Sequence, residues 1–265
     1  MPKLRRDYKL VNAIINSLRL KAAIIHLFLT VAIASLVSIL VFLYWYPDEY
    51  VEISGGINLL KMIIGVDLVC GPLITLIIFN PKKKKPELWR DLTVVAVLQL
   101  TLLVYGLHAI SAAKPLFLVL EIDRFKVITA PQLEVAALAA LPEQLQPKML
   151  SLGPMIVSIR PAVDSSERNM VTFESVQGGR DYAERPNFYR PYDSAARSQA
   201  LARAKPISAF VANYPGQQPG AARLAEKGKT EISRLKYLPV VARQDWIAVL
   251  DEKGEIQGFL KGDGF

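Results

Sequence analysis

Residues Ile57 to Phe79 read INLLKMIIGVDLVCGPLITLIIF, an apolar stretch that contains an acid, Asp67, followed by Gly71 and Pro72. About 20 apolar residues cross roughly 30 Å of hydrocarbon as a helix. Two further stretches of that length lie in the N-terminal part of the chain, Ala22 to Tyr46 and Leu92 to Ile110. The sequence therefore predicts three transmembrane helices.

The rest of the chain has the pattern of a separate folded domain. From Ser111 onward, apolar runs of about five to eight residues alternate with charged and Pro/Gly-rich segments, which is typical of a soluble domain with its own core. We therefore predict an integral membrane protein in which three transmembrane helices are followed by a C-terminal α+β extracytoplasmic domain.

Basic residues flank the predicted spans on one side only. The segments before the first span and after the second are rich in Lys and Arg, whereas the loop between these spans has neither and carries Asp48, Glu49 and Glu52. Basic flanks are cytoplasmic by the positive-inside rule. The predicted order is a cytoplasmic segment 1–21, transmembrane helix 22–46, a periplasmic loop 47–56, transmembrane helix 57–79, a cytoplasmic basic loop 80–91, transmembrane helix 92–110 and a periplasmic α+β domain 111–265.

The net charge of +8 is mainly a topological signal. Eleven of the 32 basic residues lie in the two cytoplasmic segments, and the part from Ser111 onward carries 20 basic against 17 acidic residues. Because nucleic-acid binding needs a concentrated basic face, we expect no nucleic-acid partner.

Catalytic and metal-binding patterns are also missing from the sequence. The single cysteine, Cys70, and both histidines, His26 and His108, lie in predicted spans, so the C-terminal domain has no disulfide, no paired-cysteine zinc site and no Ser-His or Cys-His pair. No nucleotide-binding or hydrolase motif is present. We expect a protein that is not an enzyme, with no catalytic residues, no metal and no cofactor, and we interpret the histidines as interfacial side chains.

Asp67 is the most specific polar feature of the membrane part. A carboxyl near the middle of a span costs roughly 2.5–3.5 kcal/mol on insertion scales, so it needs a partner or a function. On a helix it lies one turn before Gly71, and Pro72 leaves one carbonyl of the preceding turn without its N–H donor. Two interpretations are open: these three residues bind another helix, or Asp67 bonds within the chain, for instance to Gln99 or Tyr105.

A second feature of the membrane part is a row of small side chains. Thr30, Ala34 and Ser38 follow each other at four-residue spacing in the first span, and small residues at this spacing allow another helix to approach closely. That second helix is either internal or belongs to a partner. With three spans and one acid, a transport pathway is not favoured.

Secondary structure in the C-terminal domain is predicted from short patterns. Strands are expected at Pro115 to Ile128 as one strand or a bent pair, at Met155 to Ile159, around Ile207 to Val211, at Tyr237 to Ala242, and in a hairpin of Trp246 to Leu250 and Glu255 to Leu260. Pro239 predicts either an edge position for its strand or a place at the start of the strand. Helices are expected at Leu133 to Leu145, either continuous or broken at Pro142, and at Ser165 to Gln177, Ser194 to Ala204 with Asp193 as N-cap, and Ala221 to Lys227.

The segment from Gly178 to Pro191 differs from its surroundings in composition. It interleaves arginines and aromatics with prolines, which predicts an irregular exposed segment, and these residue types are enriched in protein-binding hot spots. The candidate contact residues are Tyr182, Arg185, Phe188, Tyr189 and Arg190. Two interpretations are again open, because the segment either binds a partner or packs on its own domain through its aromatics.

Motifs in the membrane part resemble a known family. In order they are His26-Leu27-Phe28, Trp45-Tyr46-Pro47, GVDLVCGPL at 65–73, the lysine run after Pro81, Asp91-Leu92, Gln99-Leu100 and Tyr105-Gly106-Leu107. From about His26 to Ile122 this pattern resembles the TfpX/TfpZ type IV pilin accessory proteins, and the likeness weakens beyond Ile128.

The resemblance implies a multi-pass protein of the bacterial inner membrane that acts as a non-enzymatic, chaperone-like factor for a cognate pilin. The expected partners are a type IV major pilin, the pilus assembly machinery and membrane lipids. The seam around Asp67 would contact the apolar N-terminal helix of the pilin, and the periplasmic domain would contact its globular head. Two other classes stay open: a membrane enzyme or cofactor of pilin or envelope modification, and a membrane-anchored periplasmic sensor or scaffold.

Overall fold

The computed structural model describes residues 2–47, 49–147 and 153–265, and it describes side chains there except for residues 2–15 and Tyr44. Asp48, one of the predicted loop acids, therefore lies outside the described residues. The chain divides into two compact units. We call the residues up to Val41 together with Ile57–Ser111 the helical unit, and Phe42–Gly56 together with Ala112–Phe265 the sheet unit.

The N-terminal part of the chain is helical. In order, the helices are α1 (Pro2–Leu40), α2 (Tyr50–Ile53), α3 (Gly56–Ile78) and α4 (Lys85–Ala112), and a π-helical segment, Val41–Trp45, follows α1. Among the residues that the structure describes, three helices are long and apolar enough to span a membrane: Asn16–Leu43, Gly56–Ile78 and Lys85–Ala112. They coincide with the three predicted spans, and membrane insertion itself remains an inference from their length and composition.

Helices α1 and α4 begin well before the predicted spans, within the basic segments. Hydropathy marks only the apolar part of a helix, whereas backbone hydrogen bonding continues through Lys and Arg, which are good helix formers. At the start of α4, Lys83 forms an ion pair with Asp91.

The sheet unit contains a mixed sheet with helices on both faces. Its strands are β1 (Pro115–Leu120), β2 (Phe125–Thr129), β3 (Met155–Ile159), β4 (Tyr189–Pro191), β5 (Lys205–Pro206), β6 (Lys236–Val241), β7 (Trp246–Leu250) and β8 (Ile256–Lys261). Its helices are α5 (Val135–Ala139), α6 (Ser165–Val176), α7 (Ser194–Arg203), α8 (Ile207–Asn213) and α9 (Gln218–Lys227).

The strand order in the described sheet is β4-β3-β1-β2-β6-β7-β8, with β5 pairing β6. Hairpins join β1 to β2 and β7 to β8, and the β1–β3 and β2–β6 pairs are parallel. In the turn before β8, Gly254 has a φ of +76°, the left-handed conformation that glycine adopts without a steric cost.

Alternating side chains of the strands enter cores on opposite faces of the sheet. On β7, Trp246, Ala248 and Leu250 pack in one core with α7. Ile247 and Val249 pack in the other, against α8 and α9. All five β7 residues are buried, so β7 reads as a continuous apolar run because both of its faces are covered.

The loop predicted between the first two spans is part of the sheet unit. Ile53 is fully buried in the core that contains β1, β6 and β7. The ring of Tyr50 packs edge-on against Phe259 of β8 with 5.0 Å between centroids. The backbone oxygen of Ile53 accepts a hydrogen bond from Arg243 N at 3.4 Å. Residues 42–56 thus contribute to the core of the domain, in addition to connecting two helices.

Several predictions for this domain are confirmed. The bent pair of strands at β1 and β2, the strand at β3, the helices at α6 and α9 and the C-terminal hairpin all form. Asp193 caps α7 by accepting a hydrogen bond from Ala196 N at 2.9 Å. The helix expected over Leu133 to Leu145 is only partly formed, since α5 ends at Ala139 and a 3₁₀ turn, Glu143–Leu145, follows Pro142.

The strand expected around Ile207 to Val211 is wrong, because these residues form helix α8. Ile207 and Phe210 are 2% and 1% exposed, and their i, i+3 spacing places both on the core side of a helix. In a run this short, apolar residues do not distinguish a strand from a buried helix by periodicity. Here tertiary packing decides between helix and strand.

The edge position predicted for the strand of Pro239 is also wrong. Strand β6 is paired on both sides, by β7 along its length and on the other side by two short partners. Residues 236 and 237 pair with β5, and residues 240 and 241 pair with β2. Pro239 lies in the interval between those partners, so its missing N–H does not interrupt a ladder.

Candidate functional site

A polar network joins the three long helices of the helical unit. His26 of α1 lies between Thr75 of α3 and Gln99 of α4, with 2.5 Å from Nδ1 to Thr75 Oγ1 and 2.6 Å from Nε2 to Gln99 Oε1. Because a carbonyl oxygen only accepts, Nε2 donates to Oε1 of Gln99. In an apolar surrounding these bonds tie the helices together.

Gly71 makes this network possible. A Cβ atom at this position would lie 1.9 Å from Nε2 of Gln99, far inside any allowed contact. The side chain of Gln99 therefore occupies the space that a larger residue at position 71 would fill. The close neighbour of Gly71 is thus a side chain of the same helical unit.

Next to the network lies a cavity of about 210 Å³ that all three helices line. We call it the Asp67 cleft. Its residues are Leu29, Thr30, Ile33, Ala34 and Val37 of α1, Leu60, Ile63, Ile64 and Asp67 of α3, and Ala96, Gln99, Leu100, Leu103, Leu107 and Ile110 of α4. Apart from Thr30, Asp67 and Gln99, every one of these side chains is apolar.

The cleft opens between α1 and α4. Leu29, Ile33 and Leu100 of its lining are 59%, 40% and 58% exposed. None of the lining residues of α3 is exposed, so α3 forms the floor. If the helices span a bilayer, the mouth of the cleft faces lipid or another helix.

Asp67 is half-buried at the floor of the cleft and has no bonding partner among the described residues. Its carboxyl group makes no hydrogen bond or ion pair with any residue in the described part of the chain. The two internal partners considered from the sequence are not used: Gln99 is bonded to His26, and Tyr105 is 72% exposed. An acid at this depth without an internal partner is an unsatisfied group in an apolar pocket.

The row of small residues on α1 is only partly in the cleft. Thr30 and Ala34 line it, and the Thr30 hydroxyl donates to the backbone oxygen of His26 at 3.0 Å. Ser38 is not part of the lining, and its hydroxyl donates to the backbone oxygen of Ala34 at 2.7 Å. Pro72 lies within α3, which continues through it to Ile78. The structure thus brings Asp67, Thr30 and Ala34 to one cavity.

The arginine- and aromatic-rich segment packs largely on its own domain. Phe188 and Tyr189 are 1% and 8% exposed. The Tyr189 hydroxyl donates to the backbone oxygen of Ala183 at 2.5 Å, and the rings of Tyr182 and Phe188 meet edge-on at 5.0 Å. The interpretation of packing within the domain applies to these aromatics, and the expected exposure is wrong for Phe188 and Tyr189.

Two arginines of the same segment differ in their surroundings. Arg185 pairs with Glu174 and donates to the backbone oxygen of Arg180. Arg190 donates only to neutral acceptors, from Nε to Ser158 Oγ and from Nη2 to Gln199 Oε1, both at 3.0 Å. Arg185 is thus neutralised locally and Arg190 is not.

Sequence reasoning did not find the His26, Thr75 and Gln99 network. The signal was available, because each of these polar side chains interrupts one apolar span. What was missing was the relative rotation and depth of the three helices, which decides whether the polar groups meet. Within the described part of the chain, no group of three or more His, Cys, Asp or Glu side chains could hold a metal ion.

Comparison with known proteins gives consistent matches. Residues 17–55 match the profile of a family described as fimbrial assembly protein FimB. Over 245 residues the chain is 30% identical to a fimbrial assembly protein, serogroup I, of Dichelobacter nodosus, an alignment that covers 91% of this chain and 94% of that relative.

Two further relatives come from the same organism. The fimbrial assembly protein of serogroup E1 is 29% identical over 245 residues, which is 91% of this chain and 94% of the relative. That of serogroups C1 and C2 is 36% identical over 105 residues, which is 40% of this chain and 80% of the relative. No solved structure matches this chain at a significant level.

Proposed function

This chain belongs to the family of the fimbrial assembly protein FimB and takes part in type IV fimbrial assembly, and we propose that it docks the transmembrane helix of a pilin subunit in the Asp67 cleft. The role is chaperone-like and non-enzymatic: it keeps a major pilin stable in the inner membrane until the assembly machinery takes it. The resemblance of the membrane part to the TfpX/TfpZ pilin accessory proteins supports this role.

The observation that carries the proposal is the carboxyl of Asp67, which no described residue bonds, in a cleft that opens to the outside of the helical unit. An acid in a span costs free energy unless a partner satisfies it. Since no described residue does so, a polar group on a docked helix is the simplest partner. The remaining walls are apolar and suit the apolar side chains of such a helix.

A pilin is a suitable occupant on chemical grounds. A pilin awaiting assembly is expected to be a single-span protein with an apolar N-terminal helix, a charged N-terminus and a glutamate near the start of that helix. Such a helix offers both apolar side chains for the cleft and polar groups for Asp67. The cleft volume of about 210 Å³ holds side chains of a helix, and the helix itself would lie along the mouth between α1 and α4.

The membrane topology proposed from the charges agrees with the segments of the chain that form the sheet unit. Residues 42–56 and 112–265 fold together, and one folded unit lies on one side of a bilayer. The basic segments at 1–21 and 80–91 then lie on the opposite side, which the positive-inside rule assigns to the cytoplasm. This supports an inner-membrane protein with a cytoplasmic N-terminus and a periplasmic sheet unit.

Site-specific photocrosslinking in cells tests the docking site. A crosslinking amino acid at Leu100, on the rim of the cleft, should capture the major pilin. The matched control is Val104, one turn further on α4, which is 64% exposed and not part of the cleft. Equal pilin capture from both positions, or none from Leu100, would contradict docking in the cleft.

Substitution of the acid tests its role. Asp67→Asn and Asp67→Ala should each lower pilin crosslinking at Leu100 and lower surface fimbriae, while Val66→Ala on the lipid-facing side of α3 should change neither. Normal fimbriae and normal crosslinking in both Asp67 variants would refute the proposal. A deletion strain with normal pilin abundance but lost pilin modification would instead favour an envelope-modifying role.

A further inference from the structure

The sheet unit has a second cavity that the membrane docking site does not involve. It has a volume of about 630 Å³ and lies where β3 and β4 meet the start of α6. Three arginines line it, Arg160, Arg168 and Arg190, together with Tyr182, Gln199 and four apolar residues. None of the residues that line it is acidic.

The three arginines differ in whether a carboxylate neutralises their charge. Arg160 is neutralised by Glu167, with Nη1 to Oε2 at 2.9 Å and Nη2 to Oε1 at 2.8 Å, and its guanidinium lies 4.3 Å from the centre of the Phe188 ring. Arg168 and Arg190 make no ion pair with any carboxylate in the described ranges. The cavity therefore carries two uncompensated positive charges.

Arg190 is held rigidly although its charge is not balanced. Ser158, which is 1% exposed, accepts from Nε, and Gln199 accepts from Nη2, both at 3.0 Å. Nη1 has no acceptor among the described residues, so its two hydrogens remain available. A positioned guanidinium edge with free donors is the arrangement that binds a planar carboxylate.

The surroundings favour a carboxylate of a polypeptide over a phosphate. Ile122 and Ile159 form apolar walls of the cavity, and these suit the side chains beside an acidic residue. A phosphate would gain from the free N–H groups at the start of α6. That position is taken, because Asp164 accepts from Glu167 N at 2.8 Å.

We propose that this cavity binds an acidic segment of a partner polypeptide, with a carboxylate on Arg168 and Arg190 and neighbouring apolar side chains against Ile122 and Ile159. Its volume is within the range of sites that bury ligands of several side chains, roughly 300–1,000 Å³. The binding of an acidic segment is inferred from the arginines and apolar residues that line the cavity. Only the origin of the segment, the globular head of a pilin, rests on the proposed function.

Binding of a defined peptide to the full-length protein in detergent micelles tests the site. The probe is fluorescein-labelled Ala-Val-Glu-Val-Glu-Ala, the matched probe has Gln in place of both Glu, and empty micelles give the blank. Fluorescence anisotropy should show binding of the Glu peptide that weakens with salt. Equal binding of the Gln peptide would overturn the proposal.

Arginine variants locate the binding. Arg168→Gln and Arg190→Gln should each weaken binding of the Glu peptide on the order of tenfold. Arg190→Lys should recover only part of that loss, because lysine lacks the paired N–H donors of a guanidinium. Arg168 is exposed and has no ion pair with a described residue, so its variant keeps the fold. Arg223→Gln, an exposed arginine of α9, should leave binding within about twofold.

Two results would overturn the inference. One is a loss with Arg223→Gln equal to that with Arg168→Gln, which would indicate a general charge effect. The other is displacement of the peptide by inorganic phosphate at a lower concentration than by acetate, which would indicate a phosphate site. Because the assay uses neither a pilin nor the Asp67 cleft, its failure would leave the proposed docking function untouched.

Discussion

The ring of His26 in α1 donates a hydrogen bond from Nε2 to Oε1 of Gln99 in α4 across 2.6 Å. The two residues are 73 positions apart in the chain, and each interrupts an otherwise apolar span. In hydrocarbon, a polar group on one helix is satisfied best by a polar group on a neighbour. This pair, together with Thr75, fixes α1 and α4 against α3 beside the Asp67 cleft.

A double-mutant cycle on this pair measures the bond. His26→Ala and Gln99→Ala should each lower the unfolding temperature in detergent, and the double variant should lose less than the sum. The expected coupling is about 0.6–1.7 kcal/mol, the range found for bonds between membrane helices. His108→Ala, an exposed histidine of α4, serves as the control and should change little. Full additivity would show that the pair contributes no interaction.

Gly65 and Gly71, two of the glycines of α3, should respond oppositely to the same substitution. Gly71→Ala places a Cβ 1.9 Å from Gln99 Nε2, whereas Gly65 has nothing within 4 Å of that position. We expect Gly71→Ala to destabilise the helical unit by about 1–3 kcal/mol and Gly65→Ala to be neutral or stabilising by up to about 1 kcal/mol. Adding Gln99→Ala to Gly71→Ala should relieve the clash. Thermal unfolding of the four variants checks this, and an equal effect at both glycines would contradict it.

Ile53 tests the contribution of residues 42–56 to the sheet unit. Its side chain is fully buried in the core beside Leu238 and Trp246, so Ile53→Ala should cost about 2–5 kcal/mol. Val135→Ala, at a position that is 81% exposed, should change the free energy of unfolding by less than about 0.5 kcal/mol. Protease resistance of the sheet unit in the full-length protein is the measurement. Equal resistance of both variants would mean that this segment is not part of the core.

Acid should weaken the sheet unit through Glu167. The Arg160 guanidinium, followed by the N–H of Val163, lowers the pKa of Glu167 from 4.5 to about 2. A carboxyl with a depressed pKa stabilises the folded state above its unfolded pKa, and this stabilisation is lost as the pH falls from about 4.5 toward 2. Glu167→Gln should therefore lower stability at pH 7 and reduce the loss between these pH values.

The matched control is Glu226→Gln, at an exposed carboxyl of α9 without an ion pair in the described residues. Denaturant unfolding of the wild type and both variants at pH 7, 4.5 and 3 provides the comparison. If Glu167→Gln shows the same acid dependence as the wild type, the pair with Arg160 does not contribute to stability.

The sequence alone determined the features that depend on local composition. Hydropathy located the three long apolar helices, since a run of about 20 apolar residues is typical of a membrane-spanning helix. Two apolar segments on either side of Asp251-Glu252-Lys253-Gly254 located the C-terminal hairpin, and Asp193 marked the start of α7. The sequence also placed Asp67, Thr30 and Ala34 among the candidate site residues. These signals are local, so they can be recognised without knowledge of the fold.

Tertiary structure decided the features that depend on which elements meet. The rotation and depth of three helices brought His26 to Gln99 and left Asp67 without a partner in the described part of the chain, and neither quantity is encoded in any one span. Burial made a helix of Ile207–Asn213, and two short neighbouring strands placed Pro239 in a central strand. The core also took up Ile53 from a loop that reads as a simple connection. In each case the deciding energy comes from contacts between residues distant in sequence, which local patterns do not contain.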